Sequence, residues 1–328
     1  MHIIRLLLVL LWCCYTQAVY AVDVNKSSID NRLYQYHTLE NGLRVLLIAD
    51  ASADKAAVSL DINVGSVDDP LDRQGLAHFL EHMLFLGTKK YPEADEYQTF
   101  ISDNGGTHNA YTSPRHTNYF FDINPGQLEP ALDRFAQFFI APLFDPFYVE
   151  RERNAVHSEY QASLREDFRR AHDVRRSVIN PAHPDAKFSV GSLDTLADRP
   201  DDLVRDDLIR FYQRYYSSEK MALVVLSNHP LDILKKWVSE RFAQVPKRQQ
   251  PSALQASAPE QKAASEPLFL PGQLPLEVIS RPLKDLREMR MTFTLPSVAE
   301  YYREKPLSYI ANLLGHEGVH AQVEDIAL

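Results

Sequence analysis

Two apolar-rich runs around a turn give the first clear pattern in the chain. In "LYQYHTLENGLRVLLIAD" (33–50) they flank Asn41-Gly42 and read as strands. Asn-Gly is the composition of a tight turn, so a two-stranded hairpin is expected. "AAVSLDINVG" (56–65) alternates as a third strand. The apolar period then lengthens to that of a helix. "RQGLAHFLEHMLFLG" (73–87) is predicted helical with Gly87 as its stop, and "EADEYQTFIS" (93–102) as a second helix ending before Gly105-Gly106. "HNAYTSPRHTNYFFDI" (108–123) returns to strand. "LEPALDRFAQFFIAPLF" (128–144) and "FYVERERNAVHSEYQASLRED" (147–167) read as amphipathic helices, "MALVVLSN" (221–228) as a buried strand and "PLDILKKWVSERFAQV" (230–245) as a further helix. Strands followed by grouped helices predict an α+β fold, a mixed or antiparallel sheet packed against helices.

The pattern fails between 246 and 275, where Pro, Ala, Ser and Gln dominate as they do in linkers. Beyond it, "EMRMTFTLP" (288–296) reads as a strand and "KPLSYIANLLGHEG" (305–318) as a helix. About fifty residues are thin for a whole domain. The organisation read from the pattern is therefore a domain over 22–245, a linker over 246–275, and a second unit over 276–328 that starts and stops.

Residues 1–21 belong to a different class of segment. "MHIIR" carries a positive charge, "LLLVLLWCCY" is a short apolar run, and "TQAVYA" ends in small residues. That order is a secretory signal peptide cleaved after Ala21, which predicts an exported, periplasmic protein with no stable membrane span after cleavage. Both cysteines, Cys13 and Cys14, fall inside the leader, so the mature chain must be stabilised without disulfides. In the chain of 328 residues, 45% hydrophobic content is ample for a packed core. A net charge of −9 argues against nucleic acid as a partner. The arginine-rich run "REDFRRAHDVRR" (165–176) reads as the solvated face of a helix.

Candidate chemistry sits in the most apolar helix. A helix advances about 100° per residue, so His78, Glu81 and His82 share one arc while Phe79, Leu80, Met83 and Leu84 point elsewhere. Two imidazoles at i and i+4 can converge on one cation, with a carboxylate beside them that need not be a ligand. Amide hydrolysis uses such a set: an ion with an open position activates water, and a neighbouring carboxylate moves its proton. A third ligand is required. Glu152 and Glu159 lie two helical turns apart on one face, and one of them could bind while the other orients the ligands. Spacing does not say which, and both could equally pair with Arg151, Arg153 or Arg165 on a solvated face. His108, His116 and His157 are rivals.

A wider resemblance rests on "GLAHFLEHMLFLGTKKYPEADEYQTFI", "GGTHNAYTSPRHTNYFFDI", "ERERNAVHSEYQ", "GSLDTLADRP", "FYQRYYSSEKMALVVLSN" and "LLGHEG". From about residue 33 to about 318 the chain resembles the pitrilysin/insulysin family of zinc metalloendopeptidases. The resemblance implies a metallopeptidase domain followed by the start of a second related one, and one Zn²⁺ per chain held by His78, His82 and Glu159. It implies Glu81 as the base acting on water at the zinc and Glu152 as an outer support of the ligands. Asn109 and Ala110 match edge positions that hold the substrate main chain. Peptides or small polypeptides are the implied substrates. Members of this branch have four such domains in two halves around a chamber, and after "LLGHEG" this sequence departs to "VHAQVEDIAL". The expectation is truncation, a frameshift or an incomplete gene model, and the reading is a zinc-dependent endopeptidase represented by an N-terminal fragment; the alternatives are a fragment inactive as it stands and a half-enzyme completed by a C-terminal half or second chain. The other reading is a non-catalytic binding or assembly subunit of the same fold, which the intact histidine pair argues against.

Overall fold

The computed structural model describes residues 24, 26–248 and 266–315. The predicted leader, both cysteines and most of the predicted linker lie outside the described residues. Two compact units divide at residue 283.

The first unit is built on six strands: β1 (Leu33–Thr38), β2 (Arg44–Ala49), β3 (Ala56–Ile62), β4 (Thr107–Thr112), β5 (Thr117–Ile123) and β6 (Met221–Ser227). Their order across the sheet is β1-β2-β6-β3-β5-β4. Only β2 and β6 run parallel, and the other neighbours are antiparallel. The sheet is therefore mixed, with β4 exposed as one edge. Alternation decides which side meets the helices. Val45, Leu47, Val58, Leu60, Leu223, Val225, Tyr119 and Phe121 are all buried on one face.

Among the described residues, seven helices belong to this unit: α1 (Leu76–Met83), α2 (Glu96–Asp103), α3 (Leu128–Ile140), α4 (Pro146–Ser163), α5 (Asp167–Val178), α6 (Val204–Tyr215) and α7 (Leu231–Phe242). Phe135, Phe138 and Phe139 of α3 meet Tyr97, Tyr119 and Phe121, mostly edge to face, a preferred aromatic geometry. α1 lies over β4 and packs against α4 and α6. That placement brings an internal helix to a sheet edge, which is where the site forms.

Several expectations change in the structure. The returning strand at 108–123 is two strands, because Ser113–His116 form a turn in which the Ser113 N–H donates to the His116 carbonyl. The helix expected over 73–87 is only eight residues long. Gly75 precedes it in the left-handed region at φ +92°, and Arg73 is drawn instead into the core. Arg73 is 1% exposed and donates from Nε to Asp207 at 2.7 Å, to the Asp202 carbonyl at 2.7 Å and to the Ala197 carbonyl. A buried guanidinium is tolerated because each of these acceptors meets it. α6 was not singled out in the sequence, although Val204, Leu208, Phe211, Tyr212 and Tyr215 repeat at helical spacing and are buried. α5 has no buried residue, as the solvated arginine face predicted.

The second unit carries a short 3₁₀ turn (Ala299–Tyr301) and α8 (Pro306–Gly315). The strand expected at 288–296 does not form. Met289, Met291, Phe293 and Leu295 alternate but stand exposed, and residues 286–298 have neither helix nor strand structure. A strand needs a neighbour for its backbone groups, and none is supplied there by the described residues. No helix among the described residues is long and apolar enough to cross a membrane.

Candidate metal centre

The short helix α1 presents His78, Glu81 and His82 toward α4 and β4. Its first turn is fixed from outside the helix. The Asp69 carboxylate accepts from the Gly75 and Ala77 N–H groups, each at 2.7 Å. Burial pushes Asp69 up to about 7, against the pull of those two donors. Gly75 also lets the backbone touch: a Cβ there would lie 2.2 Å from the Cα of Gly191. This contact carries the Val190 carbonyl to His78.

The two imidazoles are held alike. His78 Nδ1 is 2.7 Å from the Val190 carbonyl, and His82 Nδ1 is 3.3 Å from Glu152 Oε2. Both acceptors take a proton from Nδ1, which leaves the lone pair on each Nε2. The rings stand 4.8 Å apart and almost perpendicular. Their Nε2 atoms both face Glu159, His78 at 3.6 Å from Oε2 and His82 at 3.6 Å from Oε1. These separations are too long for hydrogen bonds. One ligand atom from each of His78, His82 and Glu159 lies within 4.8 Å of the others.

The electrostatics differs between the two rings. Burial, reinforced by the neighbouring His82, holds His78 below the ordinary histidine range. His82 is raised: burial opposes its charge, but the Glu152 hydrogen bond and the carboxylates of Glu159 and Glu81 outweigh it. Glu152 is lowered although burial opposes this, because it bonds His82 and Arg151. Two lone pairs and a carboxylate facing one another repel unless a cation lies between them. Ligands about 2.1 Å from a tetrahedral zinc stand about 3.4 Å apart, and each Nε2 lies 3.6 Å from one oxygen of Glu159. The donor set thus fits zinc. Glu159 is half exposed, so the group can be reached from solvent.

Glu81 is not among these donors. It is 7% exposed, burial pushes it up to about 6, and Thr112 donates to its Oε2 at 2.5 Å. Of the open alternatives from the sequence, Glu159 faces both histidines and Glu152 touches only His82. The rival histidines are elsewhere. His108 packs on Phe85 and Tyr97, His116 pairs with Asp61 at 2.9 Å, and His157 accepts from the Leu193 N–H. Asn109 and Ala110 lie in the edge strand β4, where the Ala110 N–H meets Asn109 Oδ1 at 2.9 Å. Sequence reasoning missed Val190, Asp69 and Thr112. The glycines Gly75 and Gly191 were the available signal for the first, because they mark a close backbone approach.

Comparison with known proteins adds to this geometry. Residues 44–182 match the model of the insulinase family (peptidase family M16), and residues 202–324 match that of the peptidase M16 inactive domain. The chain is similar to the insulin-degrading enzyme of Homo sapiens, 42% identical over 298 residues, and to the A-factor-processing enzyme of Saccharomyces cerevisiae, 40% identical over 300. Each alignment covers 90% of this chain and 28% of the relative. The crystal structure of pitrilysin superimposes with a TM-score of 0.67 at 43% identity, covering 70% of this chain and 24% of that one. This chain therefore spans less than a third of the length of each of these three proteins.

Proposed function

We propose, from the premise that this chain belongs to the insulinase family of zinc metallopeptidases (peptidase family M16), that it is a zinc-dependent endopeptidase hydrolysing peptides or small polypeptides. The observation that carries this reading is the convergence of His78, His82 and Glu159 beside a carboxylate, Glu81, that lies outside the donor set. His78, His82 and Glu159 would hold one Zn²⁺. When bound, that ion supplies a Lewis acid that lowers the pKa of water toward about 7 and polarises the scissile carbonyl. Glu81 takes the proton of the attacking water and returns it to the leaving nitrogen. Glu152 orients His82 through Nδ1, and the Val190 carbonyl does the same for His78. Asn109 and Ala110, on the sheet edge, would hold the peptide main chain as an added strand, so that substrate side chains are read little.

Stripping the metal with a chelator is expected to abolish cleavage of a quenched fluorescent peptide, and stoichiometric zinc to restore it. Activity that persists in zinc-free protein would overturn the reading in favour of another chemistry. Zinc-independent capture of peptides without cleavage would favour the binding subunit.

The chain aligns with 28% of the length of these relatives, and a half-enzyme completed by a C-terminal half or a second chain is the accompanying proposal. The acidic net charge supports peptide rather than nucleic-acid partners. The leader pattern of residues 1–21 supports export to the periplasm. Sequencing of the purified natural protein is expected to begin at Val22, and a retained Met1 would refute export by cleavage.

A further inference from the structure

Among the described residues, the Thr112 hydroxyl is the one hydrogen-bond donor that the Glu81 carboxylate meets. Nothing in the helix requires it. Thr112 is the last residue of β4 and lies opposite Thr117 across the hairpin, in register with neither histidine. Its side chain leaves the strand on the same face as Ala110, two residues earlier, and that face meets α1. One bond from strand to helix therefore ties the sheet edge to the carboxylate.

The bond also divides the two oxygens of Glu81. Oε2 accepts from Thr112, and among the described residues no donor meets Oε1. A glutamate has three rotatable bonds, and an unanchored one at this position would be free to change rotamer. A single strong bond to a charged acceptor restricts that freedom.

We propose that Thr112 is a positioning residue for the hydrolytic reaction: its hydroxyl fixes the Glu81 carboxylate, and it links the orientation of the base to occupation of the β4 edge by the substrate strand. This rests on the reading of Glu81 as the base. Pairing of the edge depends on the backbone at Ala110 and Thr112. An added strand would order that backbone, and with it the hydroxyl that holds Glu81. Docking of substrate and aim of the base are then one event. The same bond would prevent Glu81 from collapsing into the donor set before substrate arrives.

The test compares Thr112→Val, which keeps the shape and loses the hydroxyl, with Thr112→Ser, which keeps the hydroxyl. Each is measured for kcat and KM on a fluorescent peptide, for zinc affinity by titration of the metal-free protein, and for thermal stability. Glu81→Gln and the double variant Glu81→Gln/Thr112→Val are run beside them. Valine is expected to lower kcat about 10- to 100-fold, the scale of a misplaced catalytic group, with KM and zinc affinity within about twofold. Serine is expected to recover kcat to within about threefold of the parent. The double variant should be no slower than Glu81→Gln alone, since the hydroxyl acts through that carboxylate. Valine with unchanged kcat beside an inactive Glu81→Gln would overturn the role of Thr112 and leave the base in place. Equal loss of stability and zinc in both Thr112 variants, without recovery by serine, would show a structural role alone and also overturn it. An active Glu81→Gln would instead remove the base itself.

Discussion

Replacing Glu81 by Gln is expected to lower kcat for peptide cleavage about 10²- to 10⁴-fold while zinc content stays at one per chain, the range a positioned acid–base group supplies. The substitution is nearly isosteric. The amide oxygen can still accept from Thr112, so the helix and its contacts with β4 should persist. What disappears is a site that binds and releases a proton. Glu81 is suited to that duty by its surroundings, because burial disfavours its charge and Thr112 and His82 only partly offset this. The measurement is a steady-state assay paired with metal analysis of the same preparation. If the variant loses its zinc, Glu81 is a ligand and the proposed division of labour is wrong.

Glu159→Gln is expected to reduce zinc affinity by more than about 100-fold. Outer partners of a metal site are worth roughly 10- to 100-fold, and a direct donor more. Glu159 faces the Nε2 of both histidines, each at 3.6 Å, and brings the negative charge that two neutral imidazoles lack. Glu152→Gln is the comparison. Of the two histidines its carboxylate reaches only His82, at Nδ1, so its loss should free that ring without removing a donor, at a cost of about 10-fold or somewhat more. Competition against a chromophoric chelator measures both. Retained affinity in Glu159→Gln with collapse in Glu152→Gln would exchange the two roles.

Both experiments turn on a distinction the sequence made unevenly. The strand at 288–296 illustrates the limit on the side of fold. Its alternation of Met289, Met291, Phe293 and Leu295 is real, yet alternation alone does not provide a partner strand. α6 shows the opposite case, where buried positions at helical spacing were present in the sequence but not singled out. On the side of the site, the resemblance to a peptidase family named His78, Glu81, His82, Glu152 and Glu159, which the structure brings together, but not Val190, Asp69 or Thr112, which hold them. The residues themselves, without that resemblance, left five candidates for the third donor.

The local part of the centre was determined by sequence. Helical periodicity depends only on neighbours within a turn, so His78, Glu81 and His82 had to share an arc once this stretch was helical. Their partners follow no such rule. Glu81 meets Thr112 across 31 residues, His82 meets Glu152 across 70, and His78 meets Val190 across 112. These contacts exist because β4 sits at the sheet edge, because α4 crosses α1, and because two glycines let distant backbones touch. Tertiary packing placed Glu159, and not Glu152, opposite both rings, since only the crossing of two helices decides which carboxylate faces a pair of rings.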